Sequence, residues 1–243
     1  MAQDVDVSKT EEVDKLLSVP LSERNDAWKE KFYQIIDTAS LSLPDENVFV
    51  GPDGFPYLLL NIPEPGQQYH SYSLRTVLGH CLENGLGLVI ARGDMSKPEW
   101  VFPFGMLWCF KEFGKLELPI EEKIRGQLLN DSPSGKLAKE VVEESRQVMV
   151  GQPSEEYLPG YVRNVIRTFV TQRLSIPDVK AFLLLDPAAE PAQSLIFSIF
   201  PDQFANENEY GAVLSMLRWY LPTHYGLAGI ARDAELAGSF APF

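Results

Sequence analysis

The sequence predicts an α+β protein of two small α/β domains, each a mostly antiparallel sheet with helices on one face. Three observations predict this. Two separated stretches share one order of elements, α-β-β-α-β. The length of 243 residues suits one or two domains. A hydrophobic share of 45% against 23% charged residues is an ordinary globular balance, so such a chain buries enough apolar surface to fold without staples.

Residues 1–20 read as an acidic N-terminal segment with one short helix over Glu11–Leu17, stopped by Pro20. A first α+β domain follows over residues 21–113. Ser22-Glu-Arg-Asn opens a helix that ends near Leu41. Trp28, Phe32, Ile35, Ile36 and Ala39 recur at helical spacing, so one face packs inward. Val48-Phe49-Val50 is a strand, and Gly51-Pro52-Asp53-Gly54 is a turn between two apolar runs, a hairpin signal. The returning strand, Tyr57–Ile62, is apolar on both faces, as a strand covered on both sides is. Pro63–Tyr72 is a surface loop. Ser73 caps a helix over Ser73–Asn84, and Gly85 supplies the left-handed residue that closes it. Leu86–Ala91 is a strand. The most aromatic segment, Trp100–Phe110, reads as a strand to Phe104 and a short helix to about Phe113. Residues 114–140, rich in Gly, Pro and mixed charge, read as a linker.

The second α+β domain covers residues 141–243. Arg146–Gly151 is a short strand, and Pro159 sits in the first turn of a helix, where a missing N–H costs little. Val162, Val165, Ile166, Phe169, Val170 and Leu174 form its buried stripe. The strands Val179–Leu185 and Ser194–Phe200 flank a loop at Asp186–Gln193. A helix over Asn208–Leu221 turns Val213, Met216, Leu217 and Tyr220 inward, and Tyr225–Ala231 is the last strand. This β-α-β-β-α-β order predicts the ferredoxin-like split-βαβ plan. The two halves share pattern with few identities, so duplication is a hypothesis, which different strand orders in the two halves would overturn.

Several segments together resemble the SseB family (enhanced serine sensitivity protein B). In the second domain these are Gln147-Val-Met-Val-Gly-Gln-Pro, Tyr157-Leu-Pro, Val179-Lys-Ala-Phe-Leu-Leu-Leu and Phe240-Ala-Pro-Phe. The first domain resembles that family's N-terminal domain through Lys31-Phe-Tyr-Gln-Ile-Ile and Leu43-Pro. The resemblance implies a soluble bacterial protein of two α/β domains. It brings no established reaction and therefore no catalytic residue.

The formal net charge of -13 disfavours nucleic acid and anionic membrane as partners, because those surfaces need Lys and Arg to replace counterions. Cys81 and Cys109 form no CxxC pair and lie in apolar contexts, as reduced core residues do. No apolar run reaches bilayer length, and the acidic start lacks a signal peptide's basic and apolar regions. A cytoplasmic location is the expectation.

Chemistry-bearing patterns are sparse. His80 and Cys81 are adjacent on a helix, about 100° apart around it, and face one metal poorly. His70 and His224 complete the histidines, and no metal or other cofactor is expected. There is no G-x-S-x-G elbow and no Walker A sequence. The pairs Glu143-Glu144 and Glu155-Glu156 suit solvated or helix-start positions better than proton sharing.

The leading expectation is a non-catalytic interaction module for another protein or peptide. The aromatic run Trp100–Phe110 has two readings: it fills the first domain's core or the contact between domains, or Trp100, Phe102, Phe104 and Trp108 are binding residues for an apolar peptide, since aromatic anchors dominate interface energetics. One alternative is a small-ligand binder or enzyme using a cleft between the domains, with Tyr69 and His70 as its polar residues. Another is an acidic dimer of the secretion-chaperone kind, and a homo-oligomer stays open.

Overall fold

The computed structural model describes residues 6–64, 66, 68–93, 97–118, 148–186, 189 and 191–243. It divides into two compact units, Met1–Leu116 and Glu117–Phe243. The α+β class built of two small units is as the sequence predicts, with two mixed sheets. Most of the expected linker lies outside the described residues, as do Glu143-Glu144, the first two residues of the Arg146 strand and parts of the loops after Ile62 and Asp186.

In unit 1, helix α1 (Val7–Leu17) begins earlier than expected, because the Asp6 carboxylate accepts the Ser8 N–H and caps it. It buries Thr10, Val13 and Leu17 and packs on α2 (Asp26–Ile36). Asn25 caps α2 by accepting the Trp28 N–H. This helix stops at Ile36, short of Leu41, because Ala39 bridges to Asp6 and Leu41–Ser42 is drawn into strand β1. Strand β2 (Val48–Val50) and β3 (Pro56–Asn61) form the expected hairpin, with Gly54 at φ 83° in the turn. After β4 (Ser71–Tyr72), the Ser73–Thr76 capping box opens α3 (Leu74–Asn84) and Gly85 closes it at φ 67°, both as expected. Strand β5 (Gly87–Ala91) returns parallel to β3, and β6 (Trp100–Phe102) runs antiparallel to β5. The strand ends at Phe102 rather than Phe104, because Pro103 is the N-cap of α4 (Phe104–Phe113).

The order of this sheet is β4-β1-β3-β5-β6, with β2 on the same edge of β3 as β1. Alternate strand residues point to opposite faces. Since β5 is buried at every position and β3 at all four central ones, both faces are covered.

In unit 2, β7 (Met149–Gly151) precedes α5 (Gly160–Leu174), whose buried residues are Val162, Ile166, Phe169 and Val170. Strands β8 (Lys180–Leu185) and β9 (Gln193–Phe197) pair antiparallel. Helix α6 (Glu207–Trp219), capped by Asn206, buries Tyr210, Val213, Leu214 and Leu217. Met216, expected inward, is 37% exposed. Strand β10 (Gly226–Ala228) lies parallel to β9, and β11 (Ala241–Pro242) antiparallel to β8. The order is β10-β9-β8-β11, with β7 sharing β8's outer edge with β11. This departs from the ferredoxin-like plan. A split-βαβ unit has a strand inserted between its two parallel strands, whereas β9 and β10 are direct neighbours across α6. Close approach enables this: a Cβ on Gly226 would meet the Gln193 carbonyl and the Ser194 hydroxyl.

Candidate functional site

The aromatic run is core. Phe102, Phe104 and Trp108 have none of their surface exposed. Phe32 stacks on Phe102 with ring centroids 6.1 Å apart, and Trp100, half-buried, meets Trp28 at 5.1 Å and Phe32 at 5.3 Å. The four residues therefore do not form an exposed anchor groove. Alternation explains it: Trp100 and Phe102 share the sheet face on which α2 lies, and α4 folds back over β5.

Tyr69 and His70 separate in role. The Tyr69 hydroxyl lies 2.8 Å from Ser40 Oγ, which also meets Ser71 Oγ. Ser40 is fully buried, and its carbonyl accepts from Thr10 Oγ1 at 2.8 Å. Tyr69, just before β4, is thus tied to the residue before β1, while His70 is exposed.

Burial pushes the Cys81 thiol up to about 12, so it is protonated at neutral pH and a poor nucleophile. Burial also lowers the pKa of His224. Among the described residues no three His, Cys, Asp or Glu side chains converge as metal ligands. The Glu155 carboxylate accepts the Gly160 N–H at 2.6 Å at the start of α5 and lies 3.7 Å from Arg163, a structural placement. A shallow cavity of about 360 Å³ between α3 and α4 is lined by Arg75, Leu78, Gly79, Phe110, Lys111 and Gly114. The Arg75 guanidinium is already matched by Asp37 at 2.5 Å and lies 5.7 Å from the Phe110 ring centroid.

The conspicuous surfaces are strand edges. On β2, Val48 is 51% and Val50 63% exposed; on β7, Met149 is 59% and Val150 43% exposed. Hydrogen-bond parity sets which way the β2 backbone points. The Asn47 carbonyl accepts from Leu59 at 2.7 Å, and the Gly51 N–H donates to Phe55 at 2.8 Å. Bonded positions alternate along an antiparallel pair, and Val48, Phe49 and Val50 face Leu58, Tyr57 and Pro56. Asn47, Phe49 and Gly51 therefore bond inward, while the N–H and C=O groups of Val48 and Val50 point outward. Pro56, which has no N–H, sits opposite one of these outward positions, where none is needed.

Sequence reading missed these edges because an apolar triplet beside a turn reads as core. The available signal was charge. Residues 32–74 contain five acids (Asp37, Asp45, Glu46, Asp53 and Glu64) and no Lys or Arg. The chain matches no family model, no curated protein and no solved structure.

Proposed function

We propose that this chain is a non-catalytic protein-interaction module of the SseB-like type, acting in the bacterial cytoplasm. The observation that carries the reading is the pair of short edge strands, β2 and β7, with exposed apolar side chains in an otherwise acidic protein. Such edges offer main-chain donors and acceptors to an incoming strand, and side chains that select it. Three of the segments that carry the resemblance also meet: β7 and β11 both pair with β8, and Gln152 donates to the Ser239 carbonyl at 3.2 Å.

The test compares quantitative capture on immobilised full-length protein with capture on a variant carrying Val48→Lys, Val50→Lys and Val150→Lys. A protein retained by the wild type and lost from the variant is expected. Equal retention on both, or nothing above background, would count against the reading.

A second reading, a small-ligand binder, is favoured by the α3–α4 cavity with Arg75 and Lys111 beside Leu78 and Phe110. Thermal-shift screening of organic anions addresses it, with Arg75→Ala as the control.

A further inference from the structure

Unit 2 supplies a guide to what unit 1 lacks. Both units contain a hairpin whose second strand runs parallel to a third strand across a helix: β2-β3-β5 and β8-β9-β10. In unit 2 the outer edge of the first hairpin strand, β8, is filled by the chain itself. Strand β7 pairs with Leu183–Leu185 and β11 with Lys180–Ala181, both antiparallel. In unit 1 the corresponding outer edge, that of β2, pairs with no strand among the described residues. Its outward-pointing groups at Val48 and Val50 are the kind that β7 and β11 satisfy in unit 2.

We propose that the outer edge of β2 is a docking site for an extended basic segment of another protein, one with apolar residues at alternate positions and Lys or Arg between them. This deepens the interaction-module reading and rests on it. Main-chain pairing comes from the outward N–H and C=O groups of Val48 and Val50. Apolar complementarity comes from their exposed side chains on one face. Charge selects the partner. Asp45 and Glu46 are exposed immediately before the strand and Asp53 in its turn, and no Lys or Arg occurs between Lys31 and Arg75. An acidic segment is repelled there, and a basic one is drawn in. A second copy of this chain, at net charge -13, is disfavoured for the same reason.

The experiment uses the full-length ¹⁵N-labelled protein and a synthetic peptide of alternating valine and lysine, with an alternating valine–glutamate peptide as control. The expected result is perturbation of the Val48–Val50 amides by the lysine peptide alone, with affinity falling as salt rises. Val50→Pro removes an outward donor without touching a bond to β3, and should weaken binding at least tenfold. Val48→Lys with Val50→Lys should do the same while keeping the hairpin, which guards against a proline variant that merely unfolds. Perturbation confined to Met149–Gly151 would overturn the β2 assignment and leave the interaction reading standing. Binding that the edge variants do not weaken would reduce the effect to non-specific charge attraction and overturn the proposal. Absence of binding at β2 would overturn it as well. The capture experiment above decides the broader reading separately.

Discussion

The two units share a kernel and complete it differently. In unit 1 the extra strand β6 lies beyond β5, the last kernel strand, while β1 and β4 join β3 on the side of β2 without pairing with β2. In unit 2 the extra strands β7 and β11 lie beyond β8, the first. The kernel pairings, antiparallel then parallel, occur in the same order in both units, but the full strand orders differ, β4-β1-β3-β5-β6 against β10-β9-β8-β11, so duplication of the whole unit fails the test of strand order. The difference teaches that an added strand moves a sheet's open edge rather than removing it, because every sheet that is not a barrel has two edges to manage.

The sharpest way to break the comparison is to remove one core ring from each kernel. Phe102→Ala in unit 1 and Phe182→Ala in unit 2 each empty a fully buried aromatic site, and each should cost about 3–5 kcal/mol. Urea unfolding reads both. Tryptophan emission weights unit 1, which holds Trp28, Trp100 and Trp108, whereas unit 2 holds only Trp219. A Phe182→Ala variant as stable as wild type would show that the second kernel is not held as the first is.

Unit 1 has a polar staple that the kernel alone does not require. Arg24, its side chain 6% exposed, donates to the carbonyls of Leu17, Val19 and Glu99 and lies 5.0 Å from the Trp28 ring centroid. It binds the end of α1 to the residue before β6. Arg24→Ala should lower stability by about 2–3 kcal/mol, since hydrogen bonds to charged groups are the strong ones. Chemical denaturation of the variant checks this, and Arg24→Lys should recover only a part.

Unit 2 depends instead on a close backbone crossing. Gly226→Ala should destabilise by about 1–3 kcal/mol, because the new methyl meets a backbone carbonyl that cannot swing aside. A thermal melt unchanged by that substitution would mean that β9 and β10 can separate without cost.

Alkali should also test the burial of the tyrosines in unit 2. Burial pushes Tyr157 and Tyr210 in unit 2 up to about 12 and raises Tyr220 further. Their folded pKa values exceed the usual 10.0, so the folded state holds these protons more tightly. Their contribution is complete below pH 10 and is lost as pH rises through the folded values. Ultraviolet titration should therefore show these phenols ionising late, and together with unfolding. Ionisation of all nine tyrosines near pH 10 would contradict their burial. The smallest effect is expected at Asp202→Asn. Its pair with Arg232 at 2.8 Å is solvent-exposed, and the melting midpoint in 0.15 M salt should not move measurably.

Local chemistry was legible in the sequence and pairing was not. Ser73 and Gly85 bracket α3 through bonds made within a few residues, and the Gly51–Gly54 turn joins adjacent strands. Such signals need no knowledge of the rest of the chain. By contrast, the neighbour of β9 is chosen across a whole helix, and only the contact at Gly226 reveals it. The aromatic run was ambiguous for a related reason. Its apolar composition suits a core and an exposed anchor alike, and the helices and strands that cover Trp108 and Phe104 come from elsewhere. The β2 edge was hidden because exposure, like pairing, is decided at long range.

The likeness between the two hairpins has a consequence for how these molecules behave when crowded. A tail that has left its own β8 finds on β2 of a neighbour an edge of the same kind, and repetition of that error builds an open chain of molecules. The tail approaching β2 carries Asp233 and Glu235, and the edge awaiting it is flanked by Asp45 and Glu46. Like charges there act as a brake on polymerisation, and the brake slackens where salt screens them. Concentrated salt is thus where fibres of this protein should first scatter light.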